Sequence, residues 1–312
     1  MKSKTITLDE IKRVISSLDL ISAIEQGFID YSSGRATVPP IGELLMDKGE
    51  VHIKYGYIQG DDYYVIKIAS AFYDNPKIGL PSSNGMMLLF NQHTGETECI
   101  LLDEGYLTDT RTAIAGAIAA KYLAPENVER IGMVGTGTQA RMQLQYLKKV
   151  VDCSDVLVWG RGKEKLSKYK TDMKQHGFDI ETTTDISGIL KNCNLIVAAT
   201  PAHEPLLRAT DLQSGVHITA MGSDTPEKQE LESGILEQAD LVVTDSIEQC
   251  MERGEIYKAI KTGSITKEKV VELGNIIAGK AEGRTSDDQI TVADLTGVAV
   301  QDIKIAEAVF EN

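Results

Sequence analysis

The chain has 312 residues, of which 42% are hydrophobic and 25% charged, as in globular proteins with a sizeable core. This length predicts two domains. A net charge of −14 argues against non-specific binding to nucleic acid or to an anionic membrane surface. No apolar run is long enough to span a bilayer, and the opening residues MKSKTITLDEIKRVI lack the apolar core of a signal peptide. Four scattered cysteines without a CxxC spacing predict reduced thiols in a cytoplasmic protein, with neither a disulfide nor a metal site.

The N-terminal part of the chain predicts two helices followed by antiparallel strands. Thr7 and Glu10 form the pattern of a capping box that begins a first helix. A second amphipathic helix is predicted over 18–32. After Val38-Pro39-Pro40 the pattern changes to short apolar runs separated by turn dipeptides, which indicates an α+β unit rich in hairpins. The predicted strands are 41–46, 51–58, 63–69, 86–90 and 98–102.

Further along, strands alternate with helices, which is typical of a parallel, doubly wound α/β sheet. A helix of small residues, predicted over 112–123, precedes this part. The strands are predicted at 131–134, 156–159, 195–199, 217–221 and 241–244, with a short one near Asn275-Ile276-Ile277. The helices are predicted at 139–149, 163–176 and 184–191. Ile290 and Val292 predict one more strand, and we expect a last helix, from Thr296, to return to the first domain.

A glycine-rich turn follows the first of these strands and precedes a helix. Its sequence is Gly135-Thr136-Gly137-Thr138-Gln139-Ala140. Gly135 permits a tight turn, Gly137 lets the backbone approach a pyrophosphate, and Ala140 keeps the helix close to the sheet. The free N–H groups and the dipole at the start of the helix favour an anion. The turn therefore predicts a dinucleotide site.

Two further strand ends are expected to contact the dinucleotide. Strand 156–159 is followed by Gly160-Arg161-Gly162-Lys163, without the acidic residue that usually takes the ribose hydroxyls of NAD. Arg161 and Lys163 would suit the 2′-phosphate of NADP; alternatively, Arg161 stacks on adenine and Lys163 only starts a helix. The choice between NAD and NADP stays open. Strand 195–199 delivers Ala199 and Thr200 to the place where such folds pass near the nicotinamide ribose.

Asp224 follows the strand 217–221 at the end where ligands meet parallel sheets. Met221, Gly222 and Ser223 precede it there and are candidates for contact with the cofactor. A carboxylate at this place can act as a general acid or base on an amine. In the structural alternative, Asp224 caps a following helix whose first residue is Pro226.

Cationic residues in the first part are candidates for binding an acidic substrate. Lys67 interrupts an apolar strand, and its charge is expected to point into a cavity, unless that strand lies at the sheet edge and the lysine at the surface. His52 and Lys54 share one face of a neighbouring strand; taken alone, His52 fits a structural role. Arg111 can bind a carboxylate with two hydrogen bonds, or else forms a surface ion pair with Asp109 or Glu104.

Several ordered motifs together make the chain resemble the ornithine cyclodeaminase/mu-crystallin family. They are GLPS from Gly79, LTDTRTA from Leu107, VGTGTQA from Val134, MGSD from Met221 and TGVAVQD from Thr296. The resemblance covers nearly the whole chain. It implies a substrate-binding and dimerisation domain of residues 1–118 and 299–312 and a Rossmann domain of residues 119–298. It also implies NAD(P)(H) as cofactor and a homodimer that joins the sheets of the first domains.

The resemblance also implies roles for single residues. By position, Lys67 resembles the family's lysine at the substrate carboxylate or carbonyl, and Arg111 resembles its arginine near substrate and nicotinamide. Asp224 resembles the catalytic aspartate that handles the substrate amine. Ser82 stands where the family has a threonine that contacts the cofactor, and Thr112, beside Arg111, joins the expected cofactor contacts.

One departure bears on the substrate. The family usually carries an arginine for the substrate α-carboxylate in a Pro-x-Arg pattern, whereas this chain reads VPPIGE from Val38. His52 or Lys54 is the candidate replacement. The stretches VPPIGELL, VHIKYGY and GLPSSNG resemble the branch that includes iminosuccinate reductases. A dicarboxylate would suit Lys67, Arg111 and His52, with Ser82, Ser83 or Asn84 supplying hydrogen bonds.

These features predict an NAD(P)H-dependent reductase that converts an α-imino acid into an L-amino acid, with iminosuccinate to aspartate as one candidate reaction. Two alternatives stay open. One is a redox-neutral cyclodeaminase of the ornithine type, which oxidises and re-reduces its substrate with bound NAD. The other is a mu-crystallin-like protein that binds NADPH without turnover.

Overall fold

The computed structural model describes residues 3–312 and divides into two compact units. The first unit runs to Thr112 and includes Val298–Asn312; the second is Ala113–Gly297. In chain order, strands β1 to β7 are Lys4–Thr7, Ala36–Thr37, Gly42–Met46, Gly49–Ile58, Tyr63–Ala71, Ser83–Asn91 and Thr97–Leu102. Helices α1 to α3 are Leu8–Ile15, Leu20–Ser32 and Tyr106–Leu123. The division at 112/113 falls inside α3, six residues before the boundary expected from the sequence.

The remaining elements begin with β8 and α4. Strands β8 to β15 are Ile131–Val134, Asp155–Trp159, Asp179–Thr183, Leu195–Ala198, His217–Ala220, Leu241–Thr244, Val270–Glu272 and Thr291–Asp294. Helices α4 to α11 are Thr138–Leu147, Lys163–Lys174, Ser187–Asn192, Ser233–Gln238, Ile247–Cys250, Gly254–Lys261, Leu273–Ile277 and Ala299–Phe310.

The first unit is a largely antiparallel sheet with helices on one face. Within the described residues the strand order is β1-β7-β6-β5-β4-β2, and β3 pairs with β4. Residues of β5 alternate between the two faces, so that Val65 and Lys67 are buried on one side while Tyr64, Ile66 and Ile68 lie half-buried on the other. The helix α11 packs over the buried side together with α2. The core consists of side chains that are almost fully buried: Ile11, Ile24, Phe28, Val65, Met87, Leu89, Val300 and Ile303.

The helix α3 begins earlier than its small-residue pattern predicts. Glu104 and Gly105 adopt positive φ values of 53° and 86°, which turns the chain sharply after β7. The carboxylate of Asp103 then accepts the N–H of Leu107 at 2.8 Å and starts the helix. Arg111 consequently lies inside α3 and not at its start.

The second unit is a parallel sheet in the order β10-β9-β8-β11-β12-β15-β13-β14. Its strands are apolar on both sides, and alternate residues enter two separate cores. Ile131, Val156 and Leu195 belong to one core, whereas Val134, Leu157 and Ile196 belong to the other. Burial on both faces by flanking helices is the property of a doubly wound sheet, so the predicted Rossmann-type α/β class is confirmed.

Local details differ from the sequence-based prediction. The segment Asn275-Ile276-Ile277 is part of helix α10 and not a strand; the strand precedes it as β14. β1 and β10 were not predicted, because each is short, lies at a sheet edge, and buries one apolar side chain, Ile6 or Ile180. No helix within residues 3–312 is both long and apolar enough to cross a membrane. All four cysteines are free thiols.

Candidate active site

Lys67 is a buried charge at the centre of the first unit. Its strand β5 lies between β4 and β6, not at the sheet edge, and the residue is 1% exposed. The surface alternative is therefore wrong. A lysine in such a place requires an anionic partner or a lowered pKa, and the structure provides both.

Asp302, on α11, is the anionic partner of two cations. Its carboxylate oxygens lie 3.0 and 2.9 Å from the Nζ of Lys67. One of them also lies 2.9 Å from the Nε of Arg111, whose Nη1 donates to the side-chain oxygen of Gln301 at 2.9 Å. Arg111 is thus buried in this cluster at 4% exposure and does not lie at the surface, as the alternative required.

Three cationic side chains act on the carboxylate of Asp302. Lys54 on β4 stands directly across from Lys67 in the strand register, and it too is buried. Burial, followed by the charge of Arg111, lowers the pKa of Lys67 to about 7, against the opposing effect of Asp302. The charges of Arg111, Lys67 and Lys54 lower the pKa of Asp302 despite its burial. An ammonium and a guanidinium also carry more donors than one aspartate and one amide oxygen can accept, so a further anion fits this cluster.

His52 lies on the same face of β4 as Lys54 but is engaged by acidic residues. Its Nδ1 is 3.4 Å from a carboxylate oxygen of Glu43, and its Nε2 is 3.7 Å from one of Glu50. Two flanking carboxylates disfavour a third anion at this imidazole. Of the two candidates for replacing the missing arginine, the surroundings favour Lys54 over His52.

Asn84, near the start of β6, and Ser82, just before that strand, are not in register with Lys67. The residue opposite Lys67 is Met87, whereas Asn84 is opposite Ser70, about 10 Å further along the strand. Because side chains alternate between faces, Asn84 lies on the face opposite to Lys67. Ser82 precedes β6, where its carbonyl accepts the N–H of Phe72 at 2.7 Å. The structure thus does not bring Asn84 to the cationic cluster.

In the second unit, the glycine turn has the form expected of a phosphate cradle. Gly135 has a φ of +122°, and a Cβ there would lie 2.8 Å from the carbonyl oxygen of Ala199. At Gly137 a Cβ would meet nothing within 4 Å, so the turn is open on its outer side. Gly137 is the N-cap of α4 and has no side-chain cap, which leaves the backbone donors of the first helical turn to an anion.

The other turn residues support this arrangement. Thr136 and Gln139 are half-buried, and Gly137 and Thr138 are exposed. Ala140 is buried, and its carbonyl accepts the hydroxyl of Tyr169 at 2.7 Å, which ties α4 to α5. The helix begins at Thr138, one residue before the predicted start, and Ala140 lies in the same buried core as Ile131 and Met133 of β8.

The loops after β11 and β12 lie against each other. A Cβ on Gly222 would come within 2.0 Å of the carbonyl oxygen of Thr200, so only glycine permits this approach. The N–H of Met221 donates to the carbonyl oxygen of Ala198 at 2.9 Å. Ser223 is buried, and Asp224 follows it. The expected cofactor contacts Ala199, Thr200, Met221 and Gly222 are half-buried and lie at the carboxyl ends of β11 and β12, and the buried Ser223 follows them.

Asp224 does not cap a helix. No helix begins at Pro226 in the described chain; the next one is α7, at Ser233. The side-chain carboxylate of Asp224 is 44% exposed and lies 2.7 Å from the Nζ of the buried Lys228. The backbone carbonyl of Asp224 accepts a hydrogen bond from the Nη1 of Arg253 at 3.3 Å. A partly exposed carboxylate beside a buried ammonium can exchange protons or hydrogen bonds with a ligand nitrogen.

The remaining candidates lie in simpler surroundings. Arg161 and Lys163 are exposed directly after β9, where a ribose phosphate would be reached in this fold. The hydroxyl of Thr112 donates to the carbonyl of Thr108 within α3, at 2.7 Å. Among residues 3–312, no group of three or more His, Cys, Asp or Glu side chains is arranged to hold a metal ion.

Sequence reasoning did not identify Asp302, Gln301 or Lys228 as part of these sites. Asp302 and Gln301 belong to the closing TGVAVQD motif, but no local pattern connects them with residues more than 180 positions earlier. The i, i+4 spacing of Asp224 and Lys228 was the one signal available. It does not mark an ion pair unless a helix is expected.

Comparison with known proteins places this geometry in a family. The sequence model of the ornithine cyclodeaminase/mu-crystallin family matches residues 1–312. An uncharacterized cyclodeaminase of Sinorhizobium fredii is 40% identical over 99% of this chain and 95% of its own length. The alanine dehydrogenase of Archaeoglobus fulgidus is 36% identical over 100% of this chain and 95% of its own length.

Solved structures agree in fold over nearly the whole chain. An archaeal alanine dehydrogenase dimer with bound NAD has a TM-score of 0.92 at 34% identity, covering 100% of this chain and 96% of that one. The Thermococcus litoralis Δ1-pyrroline-2-carboxylate reductase, in complex with NADH and L-proline, has 0.92 at 26% identity, with coverages of 99% and 96%. The iminosuccinate reductase of Paracoccus denitrificans, in complex with NAD+, has 0.90 at 29% identity, with 99% and 95%.

Proposed function

We propose a function for this chain, which belongs to the ornithine cyclodeaminase/mu-crystallin family. The proposed function is the NAD(P)H-dependent reduction of an α-imino acid to an L-amino acid. The observation that carries it is the buried pair of Lys67 and Arg111, two cationic side chains that share the carboxylate of Asp302 and can bind a substrate carboxylate as well.

The residues of the second unit fit a dinucleotide. The open outer side of Gly137 and the uncapped start of α4 would hold the pyrophosphate, and the surface formed by Thr200 and Met221–Ser223 would hold the nicotinamide end. When bound, the reduced nicotinamide supplies a hydride to the imine carbon. Relatives with bound NAD or NADH support this assignment.

We assign binding of the substrate carboxylate to Lys67 and Arg111. Their contacts with Asp302 fix both cationic groups in position before substrate arrives, which reduces the entropic cost of orienting it. Lys54, buried opposite Lys67 in the strand register, adds positive charge on the same face, and this charge favours a substrate with a second carboxylate. A dicarboxylic imino acid is therefore the preferred candidate substrate.

We assign the substrate nitrogen to Asp224. Reduction of a C=N bond requires one proton at the nitrogen for each hydride at the carbon. Asp224, next to the ammonium of Lys228, can deliver or orient that proton. The pair also stabilises the charged form of a substrate iminium through the Asp224 carboxylate.

A second copy of the chain is the proposed partner. The sheet face opposite α11 presents apolar side chains from three adjacent strands, including Tyr55 and Tyr57 at 36% and 40% exposure and Met86 at 36%. Tyr64 stacks on Phe90 on this face with ring centroids 4.8 Å apart. A continuous apolar face of this kind favours association, and an alanine dehydrogenase of the same fold is a dimer.

A cyclodeaminase is the second candidate, because the 40% identical relative has that name. The two reactions differ in their net consumption of the cofactor. A reductase consumes one reduced nicotinamide per turnover, whereas a cyclodeaminase releases ammonia without net change in the cofactor.

The test is NADH and NADPH oxidation, followed at 340 nm, with a panel of imino acids. The panel contains freshly generated iminosuccinate, 2-oxo acids with ammonia or methylamine, and cyclic imino acids. Oxidation with one class supports the reductase, identifies the substrate class and settles the cofactor. Ammonia release from ornithine or lysine with no oxidation across the panel supports the cyclodeaminase, and cofactor binding without either reaction supports the mu-crystallin-like alternative.

We predict that Asp224→Asn lowers turnover by roughly two to four orders of magnitude, the contribution typical of a positioned acid or base. Dinucleotide affinity should stay close to that of the wild type, as measured by quenching of protein fluorescence. Glu227→Gln, at an exposed position of the same loop, is the matched control and should retain activity. Loss of dinucleotide binding in Asp224→Asn would instead indicate that Asp224 maintains the loop.

A further inference from the structure

A buried glutamate outside the assigned site connects the two loops at the carboxyl ends of β11 and β12. Glu230 is 0% exposed. One of its carboxylate oxygens accepts the N–H of Thr200 at 2.6 Å and its hydroxyl at 2.7 Å. The other accepts the N–H of Gly222 at 2.8 Å. A single carboxylate thus binds the backbone of both loops.

A second buried glutamate holds the next residue of the same surface. Glu255, 1% exposed, accepts the hydroxyl of Ser223 in a short hydrogen bond. It also accepts the N–H groups of Glu230 and Leu231, at 2.7 and 3.1 Å. Glu255 therefore fixes both Ser223 and the backbone that carries Glu230. Gly222 and Ser223, the two residues immediately before Asp224, are each held by one of these acids.

Such a pair would not be expected on grounds of stability alone. Two buried carboxylates disfavour each other's ionisation: burial and the charge of Glu255 raise the pKa of Glu230 to about 8, and burial raises the pKa of Glu255 to about 7. A buried acid that keeps its proton near neutral pH destabilises the fold progressively as pH rises from its unfolded value towards the raised one. What these acids contribute is the fixed geometry of the loops.

We propose that Glu230 is a positioning residue, which sets the separation of the Thr200 and Gly222 loops and thereby places the nicotinamide-side surface and Asp224. The proposal rests on the proposed function in assigning that surface to the cofactor. It adds a residue that touches neither cofactor nor substrate and acts through the backbone of both loops. Glu255 supports it by holding Ser223.

The experiment compares Glu230→Ala and Glu230→Gln with the wild-type enzyme. Glutamine is isosteric with the protonated acid and keeps one acceptor oxygen. Glu230→Ala should lower kcat at saturating cofactor by roughly a hundredfold, the loss expected from a displacement of about 1 Å at the reacting groups. Glu230→Gln should lower kcat by about tenfold at most. The substrate KM should change much less than kcat, since the carboxylate-binding residues are untouched.

Glu232→Ala is the matched control. Glu232 also accepts a backbone N–H, that of Ala209 at 2.8 Å, but it lies away from the two loops. The variant Glu232→Ala should leave kcat unchanged. Thermal unfolding of every variant shows whether it folds. If Glu230→Ala does not fold, Glu230→Gln and Glu232→Gln provide the same comparison, with a loss of kcat expected only in Glu230→Gln.

Each outcome decides the proposal. Unchanged kcat in folded Glu230→Ala, or equal losses in Glu230→Ala and Glu232→Ala, would overturn it. Dinucleotide dissociation constants, measured by fluorescence without substrate, separate it from the proposed function. If the wild-type protein reduces no imine, the proposed function fails. A weaker dinucleotide affinity in Glu230→Ala, but not in Glu232→Ala, then still supports positioning, and equal affinities overturn it.

Discussion

At the scale of single residues, the protonation of the buried Lys67 depends on the charged side chains around it. A free ammonium in this place would lose its proton, because burial disfavours the charged form. Asp302 opposes that effect, while Arg111 and Lys54 reinforce it, and the pKa of Lys67 comes to about 7. The charge of Lys67 is thus sensitive to any further anion that binds nearby.

We predict that affinity for a carboxylate ligand falls as pH rises above about 7. Lys67 then loses its proton, whereas Arg111 keeps its charge. The measurement is calorimetric titration with a 2-oxo acid in the absence of ammonia, from neutral pH to about pH 9. Binding in that range should also take up a proton, because the anion raises the pKa of Lys67. Lys67→Arg, which stays charged, should give a flat profile; a flat profile in the wild-type protein would contradict the assignment.

The lowered pKa of Lys67 also makes the free energy of unfolding depend on pH. The pKa of Lys67 falls from 10.5 to about 7 on folding, so the unfolded chain binds more protons between these values. The destabilising contribution of Lys67 is therefore complete below about pH 7 and is relieved as pH rises towards 10.5.

We predict that Asp302→Asn lowers the free energy of unfolding by about 3 to 5 kcal/mol, because it leaves two buried cations without their counterion. Urea denaturation measures this. Asp172→Asn is the control: its pair with Arg141 is partly exposed, and its loss should cost about 1 kcal/mol or less. Equal effects in the two variants would show that Asp302 is not essential to the cluster.

At the scale of elements, the sequence predicted those parts of the fold that local patterns determine. The strands β8 and β13 were predicted with their observed limits, because each is a short apolar run bounded by turn residues. The segment 275–277 was assigned to a strand since a short apolar run has no distinctive period. The pairing of Asp302 with Lys67 spans 235 residues and leaves no local signal.

We predict opposite effects of two alanine substitutions in the glycine turn. Gly135→Ala should destabilise the protein and abolish dinucleotide binding, because φ is +122° and its Cβ would lie 2.8 Å from the carbonyl oxygen of Ala199. Gly137→Ala should fold normally, since nothing lies within 4 Å of its Cβ. It should weaken dinucleotide binding about tenfold or more, equivalent to about 1.4 kcal/mol.

Thermal unfolding and fluorescence titration test both variants. Wild-type dinucleotide affinity in Gly137→Ala would show that the pyrophosphate does not approach this turn. Normal stability in Gly135→Ala would show instead that the turn can relax around an added methyl group.

At the scale of the whole molecule, the two faces of the antiparallel sheet serve different purposes. One face is covered by helices and contains the cationic cluster, while the other presents Tyr55, Tyr57 and their apolar neighbours. The cationic cluster and the proposed interface therefore lie on opposite sides of the same strands.

We predict that the protein in solution has twice the chain mass of 34.0 kDa. Tyr57→Asp should shift it towards the single-chain mass, because a charge would be buried without a partner. Ser167→Asp, on the exposed side of α5, adds the same charge elsewhere and should not. Sedimentation velocity measures the mass. A wild-type protein of single-chain mass at micromolar concentration would refute the dimer.

The long separation between Lys67 and Asp302 also has a consequence for synthesis on the ribosome. β5 emerges 235 residues before the carboxylate that neutralises its lysine. At about 5 to 20 residues per second, this delay lasts roughly ten to fifty seconds. During that time the buried face of the first sheet has no covering helix α11. Nascent chains are therefore most vulnerable to aggregation and to chaperone capture through their N-terminal strands, and slowing translation late in the message should prolong that exposure.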